Sequence, residues 1–496
     1  MRVVRVPLSM AVSLLLLAPS SPAVAAAGGG PVITHGVVIG DVRADSAILW
    51  ARGAAEGRLN VRLAGGAHRA IAPVELTADH DFAGQIPLQG LRPDTRYRYR
   101  TWVSEGPSGR ARGPEVEGSF RTAPDPNEPA DVRLAYGGDV SGQNVCRDVT
   151  DGVPIARTIE DWDPDIFVGL GDMIYADDVC LPVGRYGNAQ IARAQAQATD
   201  LPGFWAHYHY NRSDAGLQSL LAFAPYVGVW DDHEVVNDFG PLTDTRATPP
   251  YDPAVHLMPL GRQAFLDYTP ITRDPADPDR LYRSIRYGAN LELIVLDTRQ
   301  YRDANSALDD QPTPKSMLGA KQRAWLKTTL VSSTAIWKVV VSSVPISVPT
   351  GFPAANGRDG WANFDQATGF ERELLDILRF AQQHAVDDLF WITTDVHFGE
   401  VFRYTPFSDS PGFHVYEMAT GPMNSGIFPN LDFDTTLSPE RLAMVGPAAA
   451  TDVTTWEQAK SWFNFGTLEI DADGTLEAGI VDTAGHRRFE MRLPPS

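Results

Sequence analysis

The chain has 496 residues, 43% hydrophobic and 21% charged, as in an ordinary water-soluble globular protein with room for two domains. Its formal net charge is −20, which excludes a nucleic-acid-binding surface built on a basic stripe. Such a charge also repels anionic substrates at long range, unless a bound cation reverses the sign locally.

At the start, Arg2 and Arg5 precede an apolar run from Leu8 to Ala18, and Ala23-Val24-Ala25 and Ala25-Ala26-Ala27 then offer small-residue cleavage sites. Residues 1–27 are expected to be a secretory signal peptide, too short to span a membrane as a helix. Two valines separate the arginines, so the export route stays open. The expected location is extracellular. Two cysteines, Cys146 and Cys180, invite a disulfide in an oxidising compartment, and thiolate ligation of a metal is the competing reading.

Residues 31–123 read as a small β-sandwich. Ser46-Ala47-Ile48-Leu49-Trp50 and Leu59-Asn60-Val61-Arg62-Leu63 are short alternating segments. The stretch Leu91-Arg92-Pro93-Asp94-Thr95-Arg96-Tyr97-Arg98-Tyr99 resembles the tyrosine-corner region of fibronectin-type sandwiches, with Tyr97 or Tyr99 at the corner. Pro124 to Pro129 forms a Pro-rich linker. Residues 131–496 alternate apolar runs with helical segments, which implies an α/β layer architecture. Strands are expected at Val132 to Tyr136, Ile166 to Leu170, Tyr226 to Trp230, Leu291 to Leu296, Lys338 to Ser342 and Leu389 to Thr393. Helices are expected at Lys321 to Leu330 and Phe370 to Gln383, and a hairpin turns at Asp471-Ala472-Asp473-Gly474.

Four of the apolar runs end in acidic residues or histidine. They are Tyr136-Gly137-Gly138-Asp139, Gly171-Asp172-Met173-Ile174-Tyr175, Val229-Trp230-Asp231-Asp232-His233-Glu234, and Thr393-Thr394-Asp395-Val396-His397. In open α/β sheets ligands gather at the carboxyl ends of strands. Hard oxygen donors with imidazole suit iron, manganese, zinc or calcium. Asp172 is the natural bridge between two metals, which would lie about 3.5–4 Å apart. Tyr175 is either a phenolate ligand or a packed core aromatic.

Together, Gly171-Asp172-Met173-Ile174-Tyr175, Trp230-Asp231-Asp232-His233-Glu234 and Thr394-Asp395-Val396-His397-Phe398 resemble the alkaline phosphatase D (PhoD-like) family of metallophosphoesterases. Met317-Leu318-Gly319-Ala320-Lys321-Gln322-Arg323-Ala324-Trp325-Leu326 resembles a further family segment. The resemblance implies a metallophosphoesterase-type α/β sandwich preceded by a fibronectin-like β-sandwich. It implies Fe3+ on Asp172, Tyr175 and His397 with a first-strand ligand, often cysteine in such phosphatases, here matched by Asp139. It implies a second metal, commonly Ca2+ with Mn2+ or Zn2+ as alternatives, on Asp172, Asp232 and Asp395. It also implies His233 as the catalytic residue, a donor beside the phosphate, against the alternative of a structural histidine. Arg185, Arg299 and Arg302 are alternatives for a contact to that phosphate.

The segment Gly137-Gly138-Asp139-Val140-Ser141-Gly142-Gln143-Asn144-Val145-Cys146 is similar to secreted actinomycete phospholipases D of this fold. The leading expectation is therefore a phosphodiesterase of phospholipase D type, acting on phospholipid or lysophospholipid headgroup esters through metal-activated water. A phosphate-scavenging phosphomonoesterase or phosphodiesterase is the alternative. A third reading, a non-catalytic binding protein, would have lost ligands from the acidic set. Cationic headgroups suit an acidic surface, and Trp205, Tyr208, Tyr210 and Trp361 are candidates to contact a quaternary ammonium or to pack in the core. Beyond a phosphate-ester substrate, the expected partners are none but a transient membrane surface, with the chain a monomer.

Overall fold

The computed structural model describes residues 31–496 apart from 65–70, 106–110, 194–196, 244–253, 255, 311–314 and 352–355. The expected signal peptide lies outside the described residues. Two large sheets face each other. In one, nine strands run in the order Arg487–Leu493, Leu476–Asp482, Asn464–Ile470, Val132–Gly137, Ile166–Gly169, Tyr226–Gly228, Ile33–Gly40, Ser46–Gly53 and Ala83–Gln89. In the other, seven strands run Arg283–Tyr287, Leu291–Val295, Trp337–Val341, Leu389–Thr393, Val415–Ala419, Gly399–Tyr404 and Pro439–Val445.

The strand alternation decides which layer each side chain joins. Leu134, Tyr136, Ile166 and Val168 point to the opposite sheet, where Leu291, Leu293, Val339, Val341, Phe390 and Ile392 meet them. Ala135 and Phe167, one residue out of phase, pack outward against the helices Ile155–Asp161, Leu201–Arg212, Ala215–Phe223 and Met258–Tyr268. On the far side Ile294, Val340 and Trp391 pack against Gly319–Ser332 and Glu371–Gln383. In the latter helix Leu374, Ile377, Leu378 and Ala381 are buried at the 3.6-residue spacing that defines one apolar face. The result is a four-layer helix–sheet–sheet–helix body.

The six expected strands and two expected helices form within a few residues of their anticipated ends. A third strand, Arg487–Leu493, extends the C-terminal hairpin and has a largely exposed pattern. At the N-terminal end Gly57–Ala64, Val74–Leu76, Arg96–Ser104 and Val116–Arg121 form a four-stranded sheet that shares an apolar core with Ile33–Gly40, Ser46–Gly53 and Ala83–Gln89. The Tyr97 hydroxyl accepts from the Arg92 backbone N–H at 2.9 Å. The last three strands of the nine-stranded sheet come from this N-terminal region and join the rest through the parallel pair Gly40–Tyr226. Polar ties close the seam: buried Arg283 grips Asp41 with Nη2 at 2.8 Å and Nε at 2.9 Å, and Asp81 accepts from Arg52, His209 and Tyr268. No described helix is long and apolar enough to cross a membrane.

Parallel pairing aligns the carboxyl ends of Val132–Gly137, Ile166–Gly169 and Tyr226–Gly228, and of Leu291–Val295, Trp337–Val341 and Leu389–Thr393. The loops that leave these ends carry the acidic residues singled out in the sequence.

Candidate metal centre

Asp139, Asp172, Asp395 and His397 all turn the chain at positive φ, 61°, 51°, 78° and 60°, immediately beyond their strands. Non-glycine residues seldom occupy this region, and such residues concentrate at functional sites. Packing there leaves no room for larger neighbours. A Cβ on Gly142 would sit 2.3 Å from the Tyr175 ring, and one on Gly421 2.5 Å from Asp139 Oδ2.

Two groups of donors converge. In the first, His397 Nε2 lies 3.1 Å from the Tyr175 hydroxyl and 3.5 Å from Asp139 Oδ1. His397 Nδ1 donates to the Gly426 carbonyl at 2.5 Å, which fixes the tautomer whose Nε2 lone pair faces Tyr175 and Asp139. Burial lowers the His397 pKa to about 3, so the ring stays neutral and fit to ligate. In the second group, Asp172, Asp231, Asp232 and Asp395 bring ligand oxygens within 4.8 Å of one another, and Asp172, Asp232 and His233 do the same. Asp172 belongs to both of these acidic groupings, and the charge of Asp139 from the first group also acts on it.

The electrostatics call for a cation. Burial is the main cause that raises the pKa of Asp139 to about 7, and neighbouring carboxylates add to it. Asp172 and Asp395 are pushed well above the carboxylate range by burial and by Asp231 and Asp232. Asp139 Oδ1, Asp172 Oδ2, Asp231 Oδ2 and Asp395 Oδ2 are buried without a hydrogen-bond partner. Unpaired buried carboxylate oxygens at such density are costly unless a metal takes them. The donor set of carboxylates, imidazole and phenol fits hard cations.

His233 lies beside the acidic group. Its backbone N–H donates to Asp172 Oδ1 at 3.1 Å, its ring lies 4.0 Å from the Tyr175 ring, and its Nδ1 pairs with Asp177 Oδ1 at 2.7 Å. Burial works against the charged ring, yet Asp177 and Asp232 hold its pKa up at about 10. In the metal-free protein such a ring is protonated at neutral pH and able to donate.

Sequence reasoning missed the residues that hold this arrangement. Glu234 accepts from the backbone N–H groups of Asp172 at 3.0 Å, Met173 at 2.9 Å and Asp231 at 2.7 Å, so one carboxylate ties two strand ends together. Thr394 Oγ1 donates to Asp139 Oδ2 at 2.7 Å. Asp177 orients His233, and Asp359, far along the chain, binds Arg299 at 2.8 Å and also binds Arg302. Glu234 and Thr394 stood inside the quoted motifs, whereas Asp177 and Asp359 sit in loops with no periodic signal.

The three arginine alternatives separate. Arg299 and Arg302 are buried; Arg299 Nε donates to Asp231 Oδ1 at 2.5 Å, and both serve Asp359. Arg185 is exposed, forms no ion pair among the described residues, and its charge is felt at His397. The quaternary-ammonium candidates do not form a cation box. Tyr208 stacks on Tyr268 at 4.8 Å, Trp361 meets Trp391 edge-on at 6.1 Å, Tyr210 donates to the Ile191 carbonyl, and Trp205 donates to Asp267. Their rings fill the core and the domain seam.

Cys146 and Cys180 form a disulfide with their Cα atoms 5.9 Å apart, tying the loop after Val132–Gly137 to the loop after Ile166–Gly169. Thiolate ligation of the metal is thereby set aside.

If Tyr175 ligates a ferric ion, the loaded protein should show a visible phenolate-to-iron band. Tyr175→Phe should abolish that band while leaving the fold intact by circular dichroism. An iron-loaded Phe variant that keeps the band would exclude the ligand.

Residues 135–476 match the family model described as PhoD-like phosphatase, and residues 18–124 match its N-terminal domain model. The chain is 27% identical over 402 residues to alkaline phosphatase D of Bacillus subtilis (strain 168), covering 73% of this chain and spanning 64% of that protein's length. Its fold matches the solved structure titled "Structure of PhoD" with a TM-score of 0.69 at 20% identity, over 93% of this chain and 92% of the other. It also matches the purple acid phosphatase PPD1 of yellow lupin (Lupinus luteus) seeds with a TM-score of 0.59 at 13% identity, over 94% and 74% of the two chains.

Proposed function

This chain belongs to the PhoD-like phosphatase family, and from that premise we propose that it hydrolyses phosphoric esters at two metal ions held by the buried acidic cluster. The observation that carries the reading is the convergence of Asp139, Asp172 and Asp395 from three strand ends, each with a buried oxygen left unpaired by the protein.

Asp139, Tyr175 and His397 would hold a ferric ion, Asp232 and Asp395 a divalent ion such as Ca2+, Mn2+ or Zn2+, and Asp172 would bridge them. Metals in such a site supply Lewis acidity and lower the pKa of water toward neutrality. The protein's own groups do the rest. His233, held by Asp177, donates to a phosphate oxygen or to the leaving group. Arg185 reaches the phosphate as a forked donor. Glu234 and Thr394 keep the carboxylates aimed. The Cys146–Cys180 disulfide supports an extracellular, oxidising location.

Phosphatase names among the relatives favour monoesters and general diesters, the alternative weighed in the sequence, over the narrower phospholipase D expectation. The phospholipase reading keeps one observation of its own, the exposed apolar face beside the cleft that is taken up below.

The test is the purified metal-loaded enzyme against p-nitrophenyl phosphate, bis-p-nitrophenyl phosphate and lysophosphatidylcholine, with product identification. Turnover of at least one class, with Arg185→Ala raising KM about tenfold or more at little cost in fold stability, is expected from loss of a charged hydrogen bond. No turnover of any phosphoric ester by fully loaded protein would overturn the proposal.

A further inference from the structure

The outer edge of the cleft is a small ribbon of three chain segments. Val183 bridges Ala189 and Cys180 bridges Arg193 in antiparallel register, while Asp148 bridges Gln190. The Val149 N–H donates to the Ala189 carbonyl and the Ile191 N–H to the Arg147 carbonyl. Around the Val183–Ala189 and Val149–Ala189 pairings alternate residues share a face; the alternation ends before Arg193, which is buried opposite Cys180.

The inner face is polar and satisfied. Gln190 accepts from the Cys146 N–H at 3.0 Å and donates to Asn144 at 2.7 Å, and Asn188 donates to Asp148 at 3.2 Å. The outer face is apolar and bare among the described residues. Val149, Leu181, Val183 and Ile191 are 58%, 52%, 61% and 39% exposed, and exposed Ala189 lies among them. A contiguous patch of this kind is unusual on a soluble monomer unless it meets something.

Position decides what it meets. The ribbon is continuous with the metal centre: the Arg185 N–H donates to the Asn144 carbonyl, Gln143 Oε1 accepts from the Gly426 N–H at 3.1 Å, and Gly426 in turn holds His397. The loop that carries Val183 therefore also carries Arg185, whose charge is felt at His397, so the apolar face and the metal centre belong to one side of the same loop system. The formal charge of −20 disfavours an anionic surface.

We propose that the outer face of this disulfide-tied ribbon is an interfacial docking surface for the hydrocarbon of zwitterionic phospholipid aggregates, placing a lipid phosphoester at the metal centre. It rests on the phosphoesterase reading for its chemistry, but not for its binding. Val149, Leu181, Val183 and Ile191 would enter the acyl boundary while the polar inner face stays in the protein.

The experiment is co-sedimentation of metal-loaded protein with phosphatidylcholine vesicles, comparing wild type with a Leu181→Ser, Val183→Ser double variant. In parallel, turnover of bis-p-nitrophenyl phosphate and the sedimentation-velocity mass are recorded for both. Expected are vesicle binding by the wild type, at least tenfold weaker binding by the variant, and equal hydrolysis of the soluble ester. Wild-type protein that ignores vesicles, or a variant that binds them equally well, overturns the proposal. So does a wild-type dimer that the substitutions dissolve, since the face would then belong to a second copy. Loss of soluble-ester turnover in both proteins would strike the phosphoesterase reading instead and leave the binding result standing.

Discussion

Replacing Asp172 by asparagine is expected to lower kcat/KM by at least about 10³-fold, the scale for losing a central electrostatic element of an active site. Asparagine keeps the size and can still accept from the His233 N–H, so the loop geometry has no steric reason to change. What it loses is the anionic bridge. The contrast with metal-free protein makes the prediction specific. Without metal, Asp172 faces Asp232, Asp231, Glu234 and Asp139, and its charge is disfavoured chiefly by burial and then by them. Neutralising it relieves that repulsion, so the stripped variant should melt no lower than stripped wild type. The stabilisation gained on adding metal, however, should largely vanish. Thermal scans of both proteins with and without metal check this; an equal metal-induced rise in Tm for wild type and variant would contradict the bridging role.

Arg299→Met is expected to give the largest loss of folding stability, about 3–5 kcal/mol, because it strands buried carboxylates without their cation. Arg299 Nε donates to Asp231 at 2.5 Å, Nη1 donates to Asp359 at 2.8 Å, and Nη2 stands 3.9 Å from Asp232. Removing the guanidinium leaves these buried groups facing one another. Denaturant unfolding of the metal-free protein measures the loss, and adding Asp231→Asn should restore part of it because one stranded charge goes with it. A single variant as stable as wild type would show that Arg302 alone suffices for Asp359.

Much of the core was legible because buried parallel strands write themselves as short apolar runs. Ile166 to Leu170 and Leu389 to Thr393 needed no partner to be recognised, and the acidic residues following them marked the site. Helix Glu371–Gln383 was equally plain from its apolar spacing. Arg487–Leu493 was not, since an edge strand with mostly exposed side chains carries little hydrophobic alternation. Nor was the join at Gly40–Tyr226, where one pair of residues merges an N-terminal layer with the catalytic sheet.

Within the site, chain position concealed the supports more than the ligands. Asp139 and Asp395 sit at the ends of readable strands, but Asp359 reaches Arg299 from a loop 60 residues on, and only the folded chain brings them together. Glu234 looked like a fourth member of an acidic motif. Its role as a clamp on three backbone N–H groups needed the turn geometry of two strand ends at once. For the aromatic candidates the core-packing alternative holds: Tyr208 and Trp361 have the chemistry to meet a quaternary ammonium, but large rings are first of all core material.

The most direct test of the account is a metal titration of chelator-stripped protein, with bound metal counted by mass spectrometry and hydrolysis of bis-p-nitrophenyl phosphate and p-nitrophenyl phosphate followed in the same samples. The account predicts an inactive stripped chain whose activity returns as metal fills the acidic cluster, with no such return in Asp172→Asn. Full turnover by the metal-free chain, or recovery in Asp172→Asn equal to wild type, would contradict it.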